Sequence, residues 1–218
     1  MVPIKKLKRH WPSILVHAWV LLSLASLAWD YTHDQFLVDR VREITTRTGR
    51  MALTLLLLSL ACTPVNIVLG YKGVLRVRRA LGLYAFVYAA LHAWAFAGLD
   101  YGFDLELLRP AILDQRFVLA GLGAFLILLA LALTSTKGWQ RRLRKNWRRL
   151  HRLVYLAGGL VILHFFWLVK DTREPLRYGA LLALMLAVRL PFVKKPVTTL
   201  RQRLKIQRTR LKRVERRS

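Results

Sequence analysis

Leu150–Asp171 reads LHRLVYLAGGLVILHFFWLVKD. From Leu153 to Val169 it contains no Asp, Glu, Lys or Arg, and a helix of about 20 apolar residues is what crosses a bilayer. Two histidines, His151 and His164, nonetheless sit thirteen positions apart in it. An imidazole in hydrocarbon must find partners for its nitrogens, because no water is present to serve them. Ionisable groups inside a span are therefore functional suspects.

Working outward, the chain of 218 residues holds five more runs of this kind. The six are Ile14–Trp29, Met51–Leu69, Ala80–Leu99, Phe117–Thr134, Leu153–Val169 and Tyr178–Val193. Hydrophobic residues make up 55% of the sequence, yet its formal net charge is +26. A soluble basic domain scatters its charges, whereas these lie in blocks between uncharged stretches. The expected fold is an all-α integral membrane bundle of six transmembrane helices. Residues 1–13 form a basic N-terminus, 14–193 the transmembrane domain and 194–218 a basic tail. The bulky Trp29-Asp30-Tyr31 after the first run argues against signal-peptide cleavage, so the run reads as a retained span. Pro64 is expected to kink or end the second span. A single cysteine, Cys62, excludes an intramolecular disulfide framework.

Charge sets the orientation. Lys and Arg number 4 in the N-terminal segment, 4 in YKGVLRVRR, 8 in KGWQRRLRKNWRRLHR and 12 from Arg189 onward. The three alternate loops carry 4, 2 and 3, and hold 10 of the 11 acidic residues. By the positive-inside rule both termini and the two basic loops face the cytoplasm. The tail, with Leu200, Leu204, Leu211 and Val214 near helical spacing, reads as an amphipathic helix on anionic membrane lipid rather than a nucleic-acid arm.

Topology gives each histidine a depth. His92 lies ~18 Å along the third span from Ala80, and His164 ~21 Å along the fifth from Leu150, at about 1.5 Å per residue. Both spans run outward, so the two share a level in the outer half of the membrane. Two neutral imidazoles at one depth suit the axial positions of a haem iron held between helices. Tyr84, Phe86, Tyr88, Trp94, Phe96, Phe165, Phe166 and Trp167 supply aromatic surroundings. His151 lies at the cytoplasmic end, where Arg78 or Arg79 could oppose it beside a haem propionate or an open iron position, and His17 is another possible ligand. Arg148, Arg149 and Arg152 are further candidate propionate partners on that side. On an ideal helix His151 and His164 point about 140° apart. Two stacked haems therefore require a change of helical phase, expected as a kink or π-bulge at Gly158-Gly159.

RRALGLYAFVYAALH (Arg78–His92), the ACTP turn (Ala61–Pro64), LALTSTKGWQRRLRKNWRRLHRLVY (Leu131–Tyr155) and LHFFWLVKD (Leu163–Asp171) together resemble the MsrQ (YedZ) family. That family lies within the ferric-reductase-like transmembrane superfamily, which includes the NADPH oxidases. The likeness covers Arg47 to Arg189. It implies a bacterial inner-membrane, multi-pass haem b protein, with one or two haems, delivering electrons to a periplasmic molybdenum-containing methionine sulfoxide reductase. It also implies FMN as an associated cofactor, and quinone or a cytoplasmic flavin reductase as donor. The family's haem histidines fall on His92, His151 and His164, while Arg78-Arg79 stand where the oxidases have a second histidine on the third span. Lys145-Asn146 departs from the Leu-Gly turn expected before the tryptophan.

The chain is thus read as an electron-transfer subunit rather than a self-contained catalyst. Its outer acids Asp100, Asp104, Glu106 and Asp114 form a candidate docking surface for the reductase. The competing reading is a transporter or proton channel using the histidines as a relay. Against it, the spans lack deep Asp, Glu and Lys, and no inverted repeat is apparent.

Overall fold

The computed structural model describes residues 4–36 and 39–202, the first seven of these by backbone alone. The described residues form helices α1 (Ile4–Thr32), α2 (Arg40–Leu69), α3 (Val74–Trp94), α4 (Leu105–Leu113), α5 (Arg116–Leu133), α6 (Lys137–Leu150), α7 (Val154–Leu168) and α8 (Arg173–Ala187). A further helical stretch, α9, covers Pro191–Gln202. Among the described residues there is no strand. Five helical segments are long and apolar enough to cross a membrane: Trp11–Thr32, Arg40–Leu69, Val74–Asp100, Arg116–Leu133 and Lys137–Leu168. A sixth crossing requires α8 and α9 to act as one broken span, bent by 69°. The protein is an all-α membrane bundle of five or six crossings. The tail beyond Gln202, with Leu204, Leu211 and Val214, lies outside the described residues.

Two runs depart from the sequence expectation, and one loop holds an added helix. Pro64 does not end the second span; α2 passes through it and stops at Gly70, whose φ of 72° suits a residue without a Cβ. The sixth run breaks after Ala187, and Pro191 opens the next helix at a position where its missing N–H costs nothing. The polar loop between the third and fourth spans contains α4. Asp104 caps it by accepting N–H bonds from Glu106 (2.8 Å) and Leu107 (3.4 Å).

The core gathers small and branched residues from several helices: Leu55, Leu56 and Leu60 of α2, Ala85 and Tyr88 of α3, Leu128 of α5, Ala157 of α7 and Leu182 of α8. Alanine at 85 and 157 lets backbones approach closely, the usual device where lipid removes any hydrophobic drive between helices. Large apolar side chains such as Leu22, Leu126, Leu156 and Leu184 face outward. The α1 helix docks on α3 through the Tyr88 hydroxyl, which donates to Val20 O at 3.2 Å, and through His17 Nδ1, 2.6 Å from Tyr84 Oη.

The ends of the bundle differ in charge. Arg40–Asp34, Arg47–Asp30, Arg47–Glu43 and Arg50–Glu174 pair at one end, bringing the first acidic loop beside the start of α8. At the other end Arg201 of α9 donates to Asn66 O and Ile67 O, the last carbonyls of α2, where a cation also complements the helix dipole. The basic α6 lies at this second end and turns at Arg144, whose φ of 47° and ψ of −118° favour glycine. These contacts place the first and fifth loops together at one end, and the end of α2 with α9 at the other.

Candidate metal centre

His92 near the end of α3 and His164 near the end of α7 face each other. Their ring centroids are 6.0 Å apart with planes at 90°. Each ring is fixed by its other side. His92 Nδ1 lies 2.8 Å from Thr45 O of α2, and His164 Nδ1 lies 2.6 Å from Phe117 O of α5. A carbonyl only accepts, so both Nδ1 atoms carry the proton and donate it. Both Nε2 atoms are then left with a lone pair, the arrangement by which outer-shell carbonyls orient metal-binding histidines.

The spacing has a chemical meaning. Two metal–imidazole bonds of about 2 Å, plus about 1 Å from each nitrogen to its ring centre, place two centroids roughly 6 Å apart across one metal atom. Among the described residues no cluster of three or more His, Cys, Asp or Glu could hold a metal ion by itself. Two imidazoles at this spacing, each with Nε2 free, would therefore fit an iron whose remaining ligands come with a prosthetic group, and fit a bare ion poorly. The pair lies near the starts of α2 and α5, the end of the bundle where the ion pairs gather. Phe117 tilts over the His164 ring at 5.8 Å, and Phe86 stacks with Phe125 at 5.9 Å between α3 and α5.

His151 is wired differently. It stacks on Trp147 with centroids 4.0 Å apart, and its Nε2 lies 3.3 Å from Thr134 Oγ1. The Thr134 hydroxyl gives its own proton to Ala130 O at 2.7 Å, so His151 Nε2–H donates to it. The nitrogen left open in His92 and His164 is the one engaged here. Arg78 and Arg79 have exposed side chains, and among the described residues neither hydrogen-bonds to His151. Arg78 nevertheless stands near enough to His151 for its charge to act on that ring, and His17 Nδ1 meets Tyr84 Oη at 2.6 Å.

The phase change also falls elsewhere than expected. The α7 helix runs unbroken through Gly158-Gly159; Gly158 is buried there against Leu182. The irregular winding is a 3-10 turn at His151–Leu153. Three residues at about 120° instead of about 100° reduce the angle between His151 and His164 to about 80°. A π-helix does occur, at Ala95–Asp100, directly after His92. Of the aromatic residues expected around the pair, Trp94, Phe166 and Trp167 point outward, and Tyr88 serves the α1 contact. The sequence reading missed Thr45 and Phe117, whose contribution is a backbone carbonyl that no side-chain pattern announces.

Residues 48–162 match the ferric reductase like transmembrane component family. A protein-methionine-sulfoxide reductase heme-binding subunit MsrQ of Xanthomonas axonopodis pv. citri is 46% identical over 184 residues, covering 81% of this chain and 84% of that protein. One of the same description from Caulobacter vibrioides is 43% identical over 166 residues, covering 75% of this chain and 79% of that protein. No solved structure matches the chain.

Proposed function

Because the chain belongs to the MsrQ family of ferric reductase like transmembrane components, we propose that it is the haem b subunit of a methionine sulfoxide reductase system. In this reading it passes electrons across the bacterial inner membrane to a periplasmic molybdenum-containing reductase that repairs oxidised proteins. The observation that carries the proposal is the opposed His92–His164 pair, 6.0 Å between centroids with both Nδ1 atoms tied to carbonyls. Bound haem supplies one-electron chemistry, which no side chain of the pair can perform alone.

The chain's own residues bind and orient. Thr45 O and Phe117 O fix one tautomer of each histidine, so neither ring turns to seek another partner in hydrocarbon. Packing of α2 on α3 and of α5 on α7 leaves both rings only partly exposed. With both termini cytoplasmic, as the distribution of Lys and Arg argues, the pair sits toward the periplasmic end, near the face that delivers to the reductase. The acids of residues 100–114 are exposed on that face and offer a docking surface for it. Quinone or a cytoplasmic flavin reductase is the donor, with FMN an associated carrier; these finer assignments rest on family resemblance. His151, joined to Thr134 and Trp147, remains the candidate ligand for a second haem.

The test is spectroscopic. Full-length protein purified in detergent is expected to show a haem b spectrum that changes on reduction with dithionite. His92→Ala and His164→Ala each abolish it, while a folded but colourless wild type would overturn the proposal.

A further inference from the structure

The two bonds anchoring His92 and His164 each join residues 47 positions apart. The coincidence goes further. Thr45, Gly49 and His92 recur 72 positions later as Phe117, Gly121 and His164. Under the same offset Ala85 falls on Ala157, both 0% exposed, and Leu56 falls on Leu128, both buried. In each half, a glycine stands one helical turn after the accepting carbonyl. A Cβ on Gly49 would lie 2.9 Å from His92 Nδ1 and 3.0 Å from its Cε1. A Cβ on Gly121 would lie 2.8 Å from His164 Nδ1 and 3.1 Å from its Cε1.

These glycines are mid-helix, where glycine is less favourable than alanine by roughly 0.5–1 kcal/mol. Neither is needed for a turn, since both lie inside regular α2 and α5. What each position requires is room for a ring pressed against the helix backbone. Without a Cβ the imidazole reaches past the helix surface to a carbonyl already serving the helix. With one, the ring is pushed off and its Nδ1–H leaves the carbonyl.

We infer that Gly49 and Gly121 are matching positioning residues: each leaves room for the ring of its histidine against a helix backbone, with Nδ1 held by the carbonyl one turn earlier and Nε2 left free to hold an iron. The inference rests on the haem reading above and adds which backbone positions set the ligands' orientation. An Nδ1–H held by a carbonyl makes the imidazole a stronger donor and favours the more positive ferric iron. Loss of either bond therefore raises the reduction midpoint. Because the two glycine–ring contacts are alike, Gly49→Ala and Gly121→Ala produce the same kind of change.

The experiment uses the full-length haem-loaded protein in detergent, with Gly123→Ala as control. Gly123 is on α5 beside Gly121, but an added Cβ there meets only Leu160 Cδ1 at 3.5 Å, an ordinary contact. Gly49→Ala and Gly121→Ala are expected to shift the midpoint upward and to alter or remove the low-spin electron paramagnetic resonance signal, with Gly123→Ala at wild-type values. Wild-type midpoints and signals in both variants overturn the inference while leaving the haem reading intact. Should Gly49→Ala fail to accumulate, the pair His92→Ala and Gly49→Ala/His92→Ala decides by thermal unfolding. Equal or greater stability of the double variant shows that the ring is what the added methyl strikes, since alanine is otherwise the better helix residue, and a less stable double variant overturns the inference. A colourless wild type sinks the haem reading, and the unfolding comparison still judges the glycine–ring contact.

Discussion

Arg189 is expected to be a strut whose value depends on a proline 125 positions earlier in the chain. Pro64 has no N–H, so the carbonyl of Leu60, four residues before it in α2, loses its helical donor. That carbonyl is buried with Leu60, which is 1% exposed. Arg189, at the bend between α8 and α9, donates Nη2–H to it and Nη1–H to Tyr155 Oη. Its guanidinium also lies 5.1 Å from the Tyr155 ring centre. Arg189→Leu leaves a buried carbonyl unpaired, at about 1–3 kcal/mol, and removes a second hydrogen bond of about 1 kcal/mol. The lost cation–π contact adds roughly 0.5–1 kcal/mol. Relief of a partly buried cation offsets some of this, so a net loss of about 2–4 kcal/mol is expected. Pro64→Ala returns an N–H to Leu60 O. In that background Arg189→Leu should cost about 1–2 kcal/mol less, a coupling read from the double-mutant cycle. Reversible unfolding of the four proteins in mixed micelles, followed by circular dichroism against SDS mole fraction, measures it. Equal costs of Arg189→Leu in both backgrounds would refute the account.

Two further predictions concern the edges of the bundle. Tyr84→Phe and Tyr88→Phe each remove a hydroxyl joining α1 to α3, and each should lower stability by about 1 kcal/mol; limited proteolysis between α1 and α2 should quicken in the double variant, and unchanged cleavage would show that α1 is held otherwise. Neutralising Asp100, Asp104, Glu106 and Asp114 together should weaken reduction of the periplasmic partner more at low salt than at high salt, as a screened charge contact requires. Because Asp104 caps α4, Asn is the replacement to use there, since its side chain still accepts the cap bonds; an unchanged salt profile would discard the docking surface.

What was legible in the sequence follows a physical division between height and direction. Height comes from topology and the rise per residue. Both derive from one-dimensional patterns, hydropathy and the placing of Lys and Arg, so the shared level of His92 and His164 could be derived before any coordinates. Direction was less accessible. His164 faces His92, yet His151 turns to Thr134 and Trp147 because the 3-10 turn at His151–Leu153 rewinds the chain there. Nothing in the letters HRL demands that turn. The glycine pair 158–159 looked like the weak point, but glycine in a span more often provides close packing than a break. Leaving backbone groups unpaired in lipid costs more than glycine's flexibility returns; Gly158 accordingly packs on Leu182 within a regular helix.

The same division explains why a signal that was present in the sequence went unread. Gly49 and Gly121 stand at equal distances before His92 and His164, and that spacing was visible from the start. A search for inverted repeats could not have found it, because the shared spacing runs in the same chain direction both times. Their meaning appears only once each imidazole is seen against a helix backbone, with the carbonyl one turn earlier as its acceptor. A histidine buried in a span has few ways to satisfy both nitrogens. If one is to remain free for a metal, the other must take a backbone carbonyl or a hydroxyl, and a flat ring reaches a helix carbonyl from the side most readily where a side chain is missing. A glycine one turn beyond an accepting carbonyl is therefore a spacing worth seeking wherever two spans present histidines at one depth. Its absence at His151, whose hydrogen-bond partner Thr134 is a hydroxyl at a helix end, is what separates that histidine from the other two.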